Sequence, residues 1–147
     1  MQTTSASNAD RARDFNRTVI EEFRANAGRV GGPLAGTPLI LLHDIGARSA
    51  VEHVTPVAYT VLTDGSYAIA ASNGGAAVNP AWYHNLATHP RITVEVGTDA
   101  FPVVAHEILG TARETLWPTL VIAAPTLGTL QRKTSRQIPV FILIRDH

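Results

Sequence analysis

Three segments of the chain hold residues whose types and spacing could bind or stabilise an anion. The first is Gly46-Ala47-Arg48-Ser49-Ala50-Val51-Glu52-His53-Val54-Thr55-Pro56. A glycine turn followed by an arginine and a hydroxyl offers a guanidinium fork and backbone N–H groups with little steric cover. The same residues would also make a plain solvated hairpin loop. The second is Ala71-Ser72-Asn73-Gly74-Gly75, where small residues let a flat ring or a phosphate approach the backbone. An ordinary strand-to-loop transition would look no different. The third is Asn79-Pro80-Ala81-Trp82, read as an N-cap with proline at the first helical position. A helix start presents unpaired N–H groups and a positive dipole end, suited to an anion or to charge developing on a heterocycle. A capped helix with Trp82 in the core is the alternative. No catalytic residue is assigned; His53 and Tyr59 are the candidate proton donors.

Several chemistries are disfavoured. No G-x-G-x-x-G, G-x-x-x-x-G-K-[ST] or G-x-S-x-G occurs, so a Rossmann site, a P-loop and a nucleophile elbow lack support. The absence of cysteine removes disulfides, thiolate metal sites and cysteine nucleophiles. Six histidines are present, but without H-E-x-x-H no metal is expected. Lysine plus arginine and aspartate plus glutamate balance at 12 each, so bulk charge points neither to nucleic acid nor to an anionic membrane. No apolar run approaches ~20 residues, and Met1 to Arg13 lacks an apolar leader core. The expected compartment is the cytoplasm.

The elements that must position these segments follow from periodicity. With 147 residues, 45% of them hydrophobic, the chain can build one domain. Residues 1–8 are expected to fray, with Ser7 and Asp10 resembling a capping box. Phe15, Val19, Ile20 and Phe23 recur at helical spacing and predict a helix from about Ala9 to Asn26. Strands are predicted at Leu39 to Leu42, Val57 to Thr63, Tyr67 to Ala71, Ile92 to Val96, Phe101 to Ala105 and Val140 to Ile144, with a hairpin at Asp64-Gly65. Helices are expected at Pro80 to Ala87, Thr111 to Ala124 and Thr126 to Thr134. About six strands joined mostly by tight turns favour an α+β fold over 9–147, an antiparallel sheet or barrel with peripheral helices.

Taken in this order, the segments resemble the deazaflavin-dependent nitroreductase and quinone reductase family over nearly the whole chain. The resemblance runs through Phe15 to Asn26 and Gly31-Gly32-Pro33, then Ala71 to Gly75 with Asn79 to Leu86 and His89-Pro90. It ends in Trp117-Pro118, Gln131 to Thr134, Arg136 and Ile138 to Val140. What it implies is a split β-barrel holding coenzyme F-420, with hydride transfer to an organic acceptor. Arg48, Ser49, His53, Thr55 and Pro56 would then meet the phosphate and acidic tail, and Arg48 and Ser49 would share a cleft with the start of the Pro80 helix. Ala71, Ser72, Asn73, Gly74, Asn79, Pro80, Ala81 and Trp82 would meet the ring. Tyr59, Leu127 and Leu130 would line a pocket for an apolar, quinone-like or enone-like acceptor.

The chain departs from that pattern. Ala47 and His53 stand where arginine is common, Ala50 where glycine is common, and Asn73 where lysine is frequent. The segment around Leu127 and Leu130 has leucines where the family often shows tyrosines. Fewer fixed cations predict weaker tail binding, with His53 adding charge only when protonated. These departures leave open a cofactor-free protein using the barrel pocket for binding or a non-redox step, or a barrel that takes FMN or haem. A homodimer is also compatible with the sequence.

Overall fold

The computed structural model describes residues 8–146. The proposed capping box involves Ser7 and lies outside the described residues. Helix α1 runs Asn8–Ala25, one residue from its predicted start. Its apolar stripe docks where the sequence pattern aimed it. Val19 and Phe23 are buried against Leu39 and Leu41 of the first strand, with Ile20, Val30 and Leu34 around them. Burying Phe23 almost completely contributes about 2 kcal/mol. Phe15, the first residue of that stripe, stays exposed.

Seven strands form one antiparallel sheet: β1 (Leu39–Ile45), β2 (Glu52–Ala58), β3 (Thr60–Val61), β4 (Tyr67–Ala70), β5 (Arg91–Val96), β6 (Asp99–Ile108) and β7 (Val140–Arg145). The order is β2-β1-β5-β6-β7-β4-β3, so the curled sheet is open between β2 and the β3–β4 edge. This is the split-barrel class, with seven strands where about six were expected. The difference lies in one stretch. Residues 46–56 were expected as loop and 57–63 as one strand. Instead Glu52 already pairs with Ile45, the β1–β2 register continues to Leu39 opposite Ala58, and the chain breaks pairing at Tyr59. Alternation is weak in Glu52–Ala58 because Pro56 interrupts it and the burial pattern grades from exposed to half-buried, so the period-2 signal fails.

Inside the barrel, Ile40, Leu42, Ile69, Val94, Phe101, Val103, Phe141 and Leu143 form the main core together with Trp82 and Leu86 of helix α2 (Ala81–Thr88). Helix α3 (Gly110–Ala123) and helix α4 (Thr126–Arg132) cover β4 and β7, with Leu120 buried against Ala68 and Val140. The buried Arg113 of α3 stacks over Trp117 and donates Nε and Nη2 to the Ile138 carbonyl at 3.0 and 2.6 Å, fixing α3 to the approach to β7. Burial pushes this guanidinium's pKa down.

Candidate functional site

A cleft of about 940 Å3 opens between α1, β2 and the start of α2. One wall is the α1 face carrying Arg13, Asn16, Arg17, Ile20 and Arg24; the other is His53, Val54, Thr55 and Pro56 of β2. Asp44 and Asn85 also line it, and one end is closed by Asn73, Asn79, Pro80, Ala81 and Trp82. A second, smaller cavity of about 260 Å3 adjoins it and shares Pro56, Asn73 and Trp82. Its walls are largely apolar: Val57, Ala58, Ala68, Ala70, Leu120, Ala124 and Leu127, with Tyr59, Thr60, Ser72 and Gly74. This pocket occupies the split, because its residues come from β2 on one side and from β3 and β4 on the other.

A buried polar network sets the cleft floor. Asp44 is almost fully buried at the end of β1. Its carboxylate accepts from Thr55 Oγ1 at 2.8 Å and from Asn85 Nδ2 at 2.8 Å. Asn85 Oδ1 in turn accepts the Ala47 N–H at 2.9 Å. Three elements, β1, β2 and α2, are thus tied by one carboxylate and one amide, whose loss would leave a buried group unpaired. Thr55 lines the cleft, yet its hydroxyl proton is already engaged by Asp44.

The strand end and the helix start are fixed by Arg136. Its Nη1 donates to the Ala71 carbonyl at 3.1 Å and to Asn79 Oδ1 at 2.7 Å, Nη2 to the Ser72 carbonyl at 2.9 Å, and Nε to the Ala76 carbonyl at 2.9 Å. Asn79 was expected to cap α2. The structure corrects this: Pro80 is the N-cap, no side chain caps the helix, and the Asn79 oxygen is occupied by Arg136. The result leaves the first turn of α2 facing the cleft without a side-chain acceptor over it. Between these anchors Asn73, Gly74 and Gly75 all take positive φ, 47°, 63° and 81°. Asparagine tolerates that region as few other non-glycine residues do, and its Nδ2 also donates to the Val78 carbonyl at 3.0 Å.

The β1–β2 turn departs from expectation. Arg48 and Ser49 are exposed and are not among the residues lining the cleft. Gly46 N–H donates to the Val51 carbonyl at 2.8 Å and closes the turn, while Ser49 Oγ accepts from the Val51 N–H at 3.2 Å. A Cβ on Gly46 would meet the exposed Ser49 hydroxyl, which would have to turn away and give up its bond to the Val51 N–H. Ala50 sits at φ 57°, where glycine would carry no strain. Among the acceptor-pocket candidates, Tyr59 and Leu127 line the small cavity, while Leu130 does not. The Leu130 carbonyl instead packs beside Gly75. Ala71 is fully buried and contributes its carbonyl to Arg136 rather than a surface to either cavity. The sequence reading did not single out Asp44, Asn85, Arg136 or the α1 face as site residues. The first three act through long-range contacts that no local motif reports.

Two ionisation shifts bear on the site. Burial, and then the neighbouring Tyr67, pushes the Tyr59 phenol up, so its O–H is retained across the neutral range. Glu95 of β5 is held below the usual carboxylate range by its bond to Arg24 and by His43. Arg24 donates to Glu95 through Nε at 3.2 Å and Nη2 at 2.7 Å, and so pins the cleft-lining helix to the sheet.

Residues 15–145 match the family model described as F420H(2)-dependent quinone reductase. A protein of that name from Mycobacterium tuberculosis strain H37Rv is 35% identical over 127 residues, covering 84% of this chain and 85% of its own. A solved F420-H2-dependent reductase, FDR-A, superposes with a TM-score of 0.64 at 37% identity, over 72% of this chain and 93% of that one. A structure described as a domain-swapped dimer does so with a TM-score of 0.66 at 34% identity, over 93% and 99%. The haem protein HutZ from Vibrio cholerae, at 12% identity and a TM-score of 0.56, shares the fold alone. With its cleft and adjoining apolar pocket set in the split of such a barrel, this chain belongs to the F420H(2)-dependent quinone reductase family.

Proposed function

We propose that the protein is a deazaflavin-dependent oxidoreductase that binds reduced coenzyme F-420 in the large cleft and an apolar, conjugated acceptor of the quinone class in the small pocket. The observation that carries this reading is that the two cavities meet at Pro56, Asn73 and Trp82. A polar cleft with arginines along one wall opens there onto a pocket with mainly apolar walls. That division suits one ligand with an anionic tail and a flat ring, and a second that is flat and uncharged.

When bound, the deazaflavin supplies a hydride. The protein's part is to bind, orient and keep water out. Pro56 and Trp82 form apolar walls at the junction. Ser72, Asn73 and Gly74 would hold the ring, and the N–H groups at the start of α2 would favour negative charge beside them. Leu120, Ala124 and Leu127 exclude water from the acceptor. The Tyr59 hydroxyl, which lines the small pocket and carries its proton at neutral pH as a phenol does, is the donor assigned to the acceptor oxygen.

Fluorescence titration with oxidised coenzyme F-420, followed by steady-state oxidation of the reduced form with a naphthoquinone, tests this reading. Saturable quenching and quinone-dependent turnover are expected. Quenching without turnover would remove the redox step, and quenching by FMN alone would reassign the cofactor. Absence of any quenching would favour a cofactor-free binding protein.

A further inference from the structure

Arg13, Arg17 and Arg24 line the cleft from α1, with Asn16 and Ile20 between them. Residues three, four and seven apart share one face of a helix, so these form a single stripe along the wall. Opposite them, β2 contributes His53 and Thr55, of which the threonine hydroxyl is engaged by Asp44. Arg48, the fixed cation of the β1–β2 turn, lies off the cleft. The fixed positive charges beside the cleft therefore come from the leading helix.

The three arginines are not equivalent. Arg24 is bound to Glu95 through two nitrogens and anchors the helix. Arg13 pairs with Asp10 and Arg17 with Asp14, both three residues apart on the same helix. The side chains of these two pairs are 75%/51% and 70%/65% exposed. Exposed pairs of this kind hold little free energy and exchange readily for a better-placed anion. The acids on the cleft are Glu21 and Asp44. The hydrogen bonds from Thr55 and Asn85 fix the Asp44 carboxylate in the floor without removing its charge. Among the described residues, the acids of α1 set against the arginine stripe are Glu21 and, already paired to Arg13 and Arg17, Asp10 and Asp14.

We propose that Arg13 and Arg17 hold the phosphate and carboxylates of the cofactor tail, so that α1 takes over the tail-anchoring role left unfilled by the charge-poor β1–β2 turn. The proposal rests on reading the cleft as the deazaflavin site. Guanidinium forks match phosphate and carboxylate bidentately, and two of them one helical turn apart suit an extended polyanion.

The test compares two ligands and two variants. The ligands are coenzyme F-420 and its tail-less chromophore, 8-hydroxy-5-deazariboflavin, each titrated by fluorescence quenching. The variants are the double substitution Arg13→Gln with Arg17→Gln, and the single Arg48→Gln. Glutamine keeps helix propensity, and circular dichroism checks that α1 is intact. The double variant should lose about tenfold in affinity for the full cofactor and stay within about twofold for the tail-less compound. Arg48→Gln should change neither. Full-cofactor affinity unchanged in the double variant, or an equal loss for both ligands, overturns the proposal. A parent that binds neither compound overturns the reading of the cleft itself, and this proposal with it.

Discussion

Arg136 Nη1 donates to Asn79 Oδ1 at 2.7 Å across 57 residues of sequence, and so joins the approach to the last strand to the entry of the cleft-facing helix α2. The same guanidinium holds three carbonyls of the segment between β4 and that helix. A lysine has one nitrogen and cannot serve four acceptors spread around the plane of a guanidinium.

Arg136→Lys should therefore lose about 2–4 kcal/mol of stability in urea denaturation. Because the anchored residues flank the junction of the two cavities, the variant should also raise KM for the reduced deazaflavin more than it lowers kcat. A variant as stable as the parent, with unchanged KM, would show that the loop keeps its shape without this residue.

Ala50 occupies φ 57°, a region that costs an L-residue with a Cβ about 1–2 kcal/mol. Ala50→Gly relieves this but frees the unfolded chain, which costs back about 0.5–1 kcal/mol. The net expectation is a gain of about 0.5–1 kcal/mol, read as a higher denaturant midpoint with the same slope. A lower midpoint would contradict it.

Glu95 has its pKa depressed in the folded state, mainly by Arg24 and also by His43. A depressed carboxylate stabilises above its unfolded value, about 4.3 for glutamate, and the contribution fades as pH falls through the folded value. The Arg24–Glu95 pair is partly exposed, so its worth is on the order of 1 kcal/mol. Glu95→Gln should be less stable than the parent at pH 7, and the gap should be smaller at pH 3. An equal gap at both pH values would assign the loss to packing.

Leu127 lines the small pocket but not the large cleft. Leu127→Trp fills much of a cavity of about 260 Å3. KM for a naphthoquinone should rise at least tenfold, a change of about 1.4 kcal/mol, with deazaflavin affinity unchanged. A parallel loss of both would mean that the two cavities bind a single ligand.

His53 lines the cleft on β2, opposite the α1 arginines. His53→Arg places a permanent charge on the wall facing α1 and should tighten coenzyme F-420 binding about fivefold at low salt. The gain should shrink in 1 M salt, where the Debye length is about 3 Å. A gain that persists in high salt would point to shape rather than charge.

Elements with strong periodicity were legible in the sequence. The α1 stripe, the alternation of Ile92 to Val96 and Phe101 to Ala105, and the Asp64-Gly65 turn all lie where their patterns placed them. Residues 46–56 were not legible as half strand, since one face of β2 borders a cleft and Pro56 breaks its alternation. Asn79 carried a correct helix-start signal and a wrong partner. Its side chain has two equally good uses, and the choice was made by Arg136, far along the chain. Asp44 gave no signal, and Asn85 only as part of the Asn79 to Leu86 resemblance, because their pairing is recognisable only once Thr55 and Ala47 stand beside them.

The outer wall of the small pocket, Leu120, Ala124 and Leu127, belongs to α3, α4 and the two-residue link between them, none of which takes part in the strand ladder. The shared boundary with the large cleft belongs to β2, the Asn73 turn and α2. On the proposed assignment, the outer wall of the acceptor pocket and the cofactor cleft are written in separate stretches of chain, and substitutions in residues 120–127 would retune the range of accepted molecules while the hydride source stays seated. Under that assignment, drift in the α3–α4 segment would be enough for a lineage built on this barrel to diversify its substrates.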